Sequence, residues 1–88
     1  MTHATLTRRV TPDLVERLSR REMQVFRRLA DGLTIHQIGR EMDISFKTVE
    51  VHRNNIRKKL GLQNSNQVLR LAVLWEFVYG ERLDANAA

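Results

Sequence analysis

The side chains best suited to chemistry lie in one segment, Ser45 to Leu60, and the chemistry they suit is hydrogen bonding to a polyanion. At about 100° per residue, Val49, His52, Ile56 and Leu60 share one side of a helix. Lys47, Glu50, Val51, Asn54, Arg57 and Lys58 share the other. The first row can be buried. The second is a stripe of long polar side chains, basic in balance, with one valine in it. Asn and Arg read base edges, Lys and Arg neutralise phosphates, and an aliphatic group meets a thymine methyl. The spacing therefore predicts a recognition helix over residues 45–60, fit for the major groove of duplex DNA. A solvated surface helix with one stray valine is the plain alternative.

Other chemistries find little support. The chain has no cysteine, which excludes a disulfide framework and a thiolate zinc site. His3, His36 and His52 are too scattered to form a metal cluster. There is no glycine-rich phosphate loop, no pair of carboxylates with a plausible cleft and no nucleophile–base arrangement, so neither an enzyme nor a cofactor is expected. The 88 residues make one domain with a thin core. The net charge of +5 suggests a polyanionic partner. Residues 1–28 carry seven Arg against Asp13, Glu16 and Glu22, whereas residues 61–88 are slightly acidic. Met1 to Val10 lacks the apolar centre of a secretory signal. Val68 to Tyr79, interrupted by Arg70 and Glu76, is far short of the ~20 residues that span a bilayer. A soluble cytoplasmic protein with no membrane partner is expected.

Positioning the stripe requires other elements, and the chain signals their starts repeatedly. Residues 1–17 read as a flexible basic arm with a candidate short helix, begun by Thr11, Pro12 and Asp13 and lending Leu14, Val15 and Leu18 to the core. Ser19 and Glu22 make a capping box stapled by Leu18 and Met23. Val25, Phe26 and Leu29 form the inward face of that helix, the arginines its outer face, and Gly32 its stop. Thr34, Gln37, Leu33 and Ile38 repeat the signal for a short helix whose inward side uses Ile35, Ile38 and Met42. Gly39 is costly within it and suggests close packing against another helix. Asp43 and Ile44 make a tight turn, and Ser45 caps a third start. Two helices so joined, the second bearing the stripe, are a helix-turn-helix. Their free N–H groups near Thr34 and Ser45 suit phosphate, with the hydroxyls of Thr34 and Thr48 adding to them.

Gly61 ends the recognition helix, and Leu62 to Asn66 reads as a polar loop with Asn64 or Ser65 as the next cap. A last helix over about residues 66–79 has two apolar faces. One is Val68, Leu71, Ala72, Trp75 and Tyr79; the other is Leu69, Val73, Leu74 and Phe77. A monomer this small cannot bury both, so the second is a candidate dimer seam. Gly80 closes the domain at 18–80, and 81–88 reads as a tail.

The motifs Leu18-Ser19-Arg20-Arg21-Glu22, Leu29 to Thr34, Ile44-Ser45, Lys47 to Arg53, Ile56 and Lys59-Leu60-Gly61-Leu62 together resemble the LuxR/FixJ/NarL class of bacterial transcription factors. Thr48 to Arg53 looks most like the FixJ branch, whose members are often response regulators. Gly39 and Met42 depart from the class, which usually has alanine and leucine there. The resemblance implies an all-α, four-helix domain with a C-terminal dimerisation helix, bound as a homodimer to an inverted repeat of double-stranded DNA. It implies base reading by Glu50, Val51 and Asn54. It implies phosphate contacts from Thr48, Lys59 and the helix start at Thr34 to His36, beside which the basic residues Lys47, Arg53, Arg57 and Lys58 stand as further candidates. RNA polymerase is a further candidate partner.

Glu50 would accept from a cytosine amino group; its plain alternative is a surface pair with Arg53 or Asn54. His52 reads as a packed residue at the edge of the buried row. Two other functions share the fold: a protein-interaction module that modulates a longer regulator through the last helix, and a sigma-factor-like promoter reader. With about 18 residues before the motif, the chain reads either as a free-standing small regulator or as a fragment of a longer one.

Overall fold

The computed structural model describes residues 12–80. Among these residues all regular structure is helical: α1 (Pro12–Glu16), α2 (Arg20–Ala30), α3 (Ile35–Met42), α4 (Phe46–Lys59) and α5 (Ser65–Trp75), which runs on into a π turn at Glu76–Gly80. The basic stretch at residues 1–10, the cap expected at Thr11 and the tail at 81–88 lie outside the described residues.

Side-chain caps set the helix starts. Ser19 Oγ accepts from the Glu22 N–H at 3.1 Å while Glu22 Oε1 accepts from the Ser19 N–H at 2.9 Å. Thr34 and Gln37 repeat the reciprocal pair at 3.1 and 2.9 Å. Ser45 Oγ accepts from the Thr48 N–H, and Asn64 Oδ1 from the Gln67 N–H. Each cap is worth about 1 kcal/mol against alanine. The stops are as local: Gly32 and Gly61 take φ of +88° and +68°, the left-handed conformation beyond a helix end.

The inward rows then meet. Val15, Val25, Phe26, Ile38, Val49, Ile56 and Val68 are fully buried, each stabilising by about 1.5–3 kcal/mol relative to an exposed side chain. α2 packs on α4 and α5, and α3 packs chiefly on α4. The core thus sits behind α4 and leaves its other side to solvent.

Val15 of α1 is wholly buried in the core. Three details differ from the sequence reading. Leu62, read as the start of a polar loop, is also buried; its N–H donates to the Arg57 carbonyl at 2.9 Å and its carbonyl accepts from Arg57 Nη1 at 3.1 Å. Gly39 is required by the turn rather than by a neighbouring helix: a Cβ there would meet the Ile44 carbonyl oxygen at 2.7 Å. The last helix is not one regular helix over 66–79. It starts at Ser65 and widens after Trp75 into the π turn, where Gly80 closes over the Glu76 side chain so tightly that a Cβ would lie 2.5 Å from Glu76 Oε1.

Candidate nucleic-acid interface

The connection between α3 and α4 fixes how the stripe is presented. Asp43 caps α3 in the left-handed conformation, φ 57°, which aspartate tolerates better than most residues. The Ile44 N–H then donates back to the Gly39 carbonyl at 2.9 Å. With Gly39 bare, the turn lies directly on α3, and α4 leaves it at a set angle. Val49, Ile56 and Leu60 face inward as the helical spacing predicts, and His52 is half-buried at the edge of that row.

Lys47, Glu50, Val51, Asn54 and Lys58 are exposed along the outer side of α4. Val51 is 57% exposed, an apolar side chain among polar ones on this side of the helix. Arg53 and Arg57 are half-buried on the flank. Arg57 Nε donates to Asn54 Oδ1 at 3.0 Å, which orients the amide. Arg53 Nη2 stands 3.9 Å from Glu50 Oε2, the surface pair raised above as the plain alternative for that carboxylate. An exposed pair of this kind is worth well under 1 kcal/mol and exchanges readily for another partner.

Two helix starts border the stripe. Thr34 and His36 at the head of α3 and Thr48 in the first turn of α4 are exposed. The capping box occupies the N–H groups of Thr34 and Gln37, which leaves those of Ile35 and His36 without an intrahelical partner. Thr34 and Arg53 line one hollow with Ser65, Asn66 and Leu69, so the flank of α4 and the start of α5 share an edge.

Lys59 is the phosphate candidate whose surroundings differ most from expectation. Its Nζ donates to Glu22 Oε1 at 2.7 Å, and Glu22 is buried. Burial is the largest influence on this carboxyl and pushes its pKa up. The hydrogen bond from Lys59, the Ser19 N–H, the Lys59 charge and the Ser19 hydroxyl together outweigh it, and the net shift is downward. Glu22 thereby ties the head of α2 to the tail of α4. Spacing along one helix could not reveal a partner 37 residues away. A second missed residue is Phe46, exposed at the head of α4 with its ring against that of His36 at 4.4 Å between centroids. An apolar residue at that position with no inward neighbour was the available signal.

The outer face of α5 is of another kind. Leu69, Val73, Leu74, Phe77 and Val78 are all exposed, Phe77 by 80%, whereas Val68, Leu71 and Ala72 are buried and Trp75 half-buried against Tyr79. No helix of the described residues is long and apolar enough to cross a membrane.

A capped helix pair locked by a bare-glycine turn, its second helix outward-facing with basic and amide side chains, defines a helix-turn-helix DNA-binding domain. The chain belongs to the luxR family of bacterial regulatory proteins, whose family model matches residues 16–72. It is 38% identical over 69 residues to the transcriptional regulatory protein UhpA of Escherichia coli, covering 69% of this chain and 35% of that protein. It is 42% identical over 59 residues to the transcriptional regulatory protein FixJ of Bradyrhizobium diazoefficiens, covering 67% and 29%. It is 36% identical over 61 residues to the transcriptional regulatory protein TdiR of Thauera aromatica, covering 69% and 27%. The matched part of the chain thus spans about a third of the length of these relatives. No solved structure matches it significantly.

Proposed function

We propose that this domain regulates transcription by binding a specific duplex sequence, with α4 in the major groove and two copies seated on an inverted repeat. One observation carries the reading: Val51, a 57% exposed valine, sits on the outer side of α4 between Glu50 and an Asn54 amide that Arg57 holds in place. That is an apolar probe for a thymine methyl beside donors and acceptors for base edges. Glu50, Val51 and Asn54 are the base readers. Glu50 leaves the long pair with Arg53 for a cytosine amino group, which frees Arg53 for phosphate. Thr34, His36, Lys47, Thr48, Arg53, Arg57 and Lys58 track the backbone, helped by the free N–H groups at the heads of α3 and α4. Lys59 joins them only by leaving Glu22. The apolar face Leu69, Val73, Leu74 and Phe77 joins the two copies, since one helix reads too little DNA alone.

Selection of bound sequences from a random duplex pool tests this. The expected result is an inverted repeat with half-site centres about one helical turn, or a multiple of it, apart. Recovery of no sequence preference, at salt low enough for any duplex to bind, would refute it.

A further inference from the structure

Phe46 has no part in the reading above, yet it is a large apolar side chain left 38% exposed at the first position of α4. The inward row of that helix is filled by Val49, Ile56 and Leu60, so the core does not account for it. Its ring and its backbone both meet α3. The Phe46 ring meets the His36 ring of α3 at 4.4 Å with 35° between planes. Its own backbone is wedged against α3, since the Cβ site of bare Gly39 lies 3.4 Å from the Phe46 nitrogen and 2.7 Å from the Ile44 oxygen. By helical angle Phe46 stands about 40° from Glu50 and about 100° from Lys47, on the leading rim of the reading face. The N-terminal residues of a recognition helix contact base edges. Phenylalanine is one of the side chains that meets a thymine methyl.

We infer that Phe46 is a further base-reading residue, packing its ring on a thymine methyl at a position other than the one read by Val51, with His36 as the positioning residue behind it. The inference rests on the reading of α4 as the groove helix. Stacking on His36 restricts the ring before DNA arrives, so less side-chain entropy is lost on binding.

The test uses the site recovered from the random pool, each thymine replaced in turn by deoxyuridine, which lacks only the methyl. Wild-type protein, Phe46→Ala, Phe46→Gln, His36→Ala and Val51→Ala are titrated against each duplex, and circular dichroism reports the fold of each. At one thymine the replacement should weaken wild-type binding about fourfold, the value of one buried methyl. It should not weaken Phe46→Ala or Phe46→Gln at all, should weaken His36→Ala by less than wild type, and should weaken Val51→Ala fully. A folded Phe46 variant that remains as sensitive as wild type at every thymine overturns the inference. So does a recovered half-site whose only thymine is the one coupled to Val51. If no specific duplex is recovered, the groove reading falls and this inference with it; a specific duplex without the coupling removes this inference alone.

Discussion

Several outward side chains of α4 have partners: Arg57 donates to Asn54, Arg53 stands near Glu50, Lys59 donates to Glu22 of α2 and Phe46 meets His36 of α3. On α5 and the π turn after it, the outward apolar side chains are Leu69, Val73, Leu74 and Phe77, with the exposed Arg70 beside them. The first face is held in place before any DNA is present, so on the proposed reading the loss of one of its exposed residues should alter recognition more than stability. The second is exposed at a cost that only a covering surface relieves. Mutations on the two faces should therefore separate. Those on α4 should alter which DNA is bound. Those on α5 should alter how many copies bind it.

Phe77→Glu should give the largest effect. Phe77 is 80% exposed, so the monomer keeps its core and the melting temperature stays close to wild type. In the proposed dimer a charge in the apolar face would prevent pairing, and the loss of linked binding should weaken affinity for the full inverted repeat by ~100-fold or more. Affinity for an isolated half-site should not change. Analytical ultracentrifugation with full-site and half-site titrations checks this. Equal losses on both duplexes would break the contrast between the faces.

Val51→Ala and Asn54→Ala come next, each weakening specific binding by about 1–3 kcal/mol. Neither should change affinity for random duplex or thermal stability, because both side chains are exposed. Lys58→Ala should act oppositely, weakening all sequences alike and lowering the salt slope by about 1. Titrations at several salt concentrations separate the two patterns.

Sequence spacing alone was enough to read much of this. The caps at Ser19, Thr34 and Ser45 and the rows on α2 and α4 are local, set by side chains three or four residues apart, and the periodicity of a helix exposes them. What spacing hides is contact between elements. The Glu22–Lys59 tie spans 37 residues, and the closeness of Gly39 to Ile44 depends on the left-handed Asp43. The π turn after Trp75 is likewise invisible, since Glu76 to Gly80 continue an ordinary helical pattern.

Gly39→Ala probes one of those contacts and should have a smaller effect than the base readers. Alanine gains about 1 kcal/mol in helix propensity. It also brings a methyl to 2.7 Å from the Ile44 carbonyl oxygen, a backbone atom that can yield only by moving the turn. Overpacking of this kind costs about 1–3 kcal/mol, so a net loss of about 1 kcal/mol is expected in thermal unfolding. The displaced turn carries the head of α4 with it, so specific affinity should fall while the association of two copies through α5 does not. A variant as stable as wild type and equal to it in binding would show that the turn does not set the angle of α4.

The smallest effect should come from acid. Glu22 has a carboxyl pKa below its ordinary value, because Lys59 and the Ser19 groups outweigh the opposing influence of burial. A carboxyl held low in the folded state adds stability that is fully present above the unfolded value. That stability disappears as pH falls through the folded value. Melting temperature should therefore decline on the acid side of pH 4.5, the ordinary value for this group. In Glu22→Gln, which keeps an acceptor for the Ser19 N–H but no charge for Lys59, this part of the decline should vanish. Lys59 is 43% exposed in its side chain, so water screens the pair and the difference should stay near or below about 1 kcal/mol. The same variant sharpens the contrast between neighbouring lysines. With Glu22 neutral, Lys59 is released to DNA, and random-duplex affinity should rise at low salt. In the wild-type background, Lys59→Ala should change the salt slope less than Lys58→Ala does, because part of its charge is already spent on Glu22. Equal slopes for the two alanine variants would mean that DNA draws Lys59 away from Glu22 on binding, and that the tie orders α4 only in the free protein.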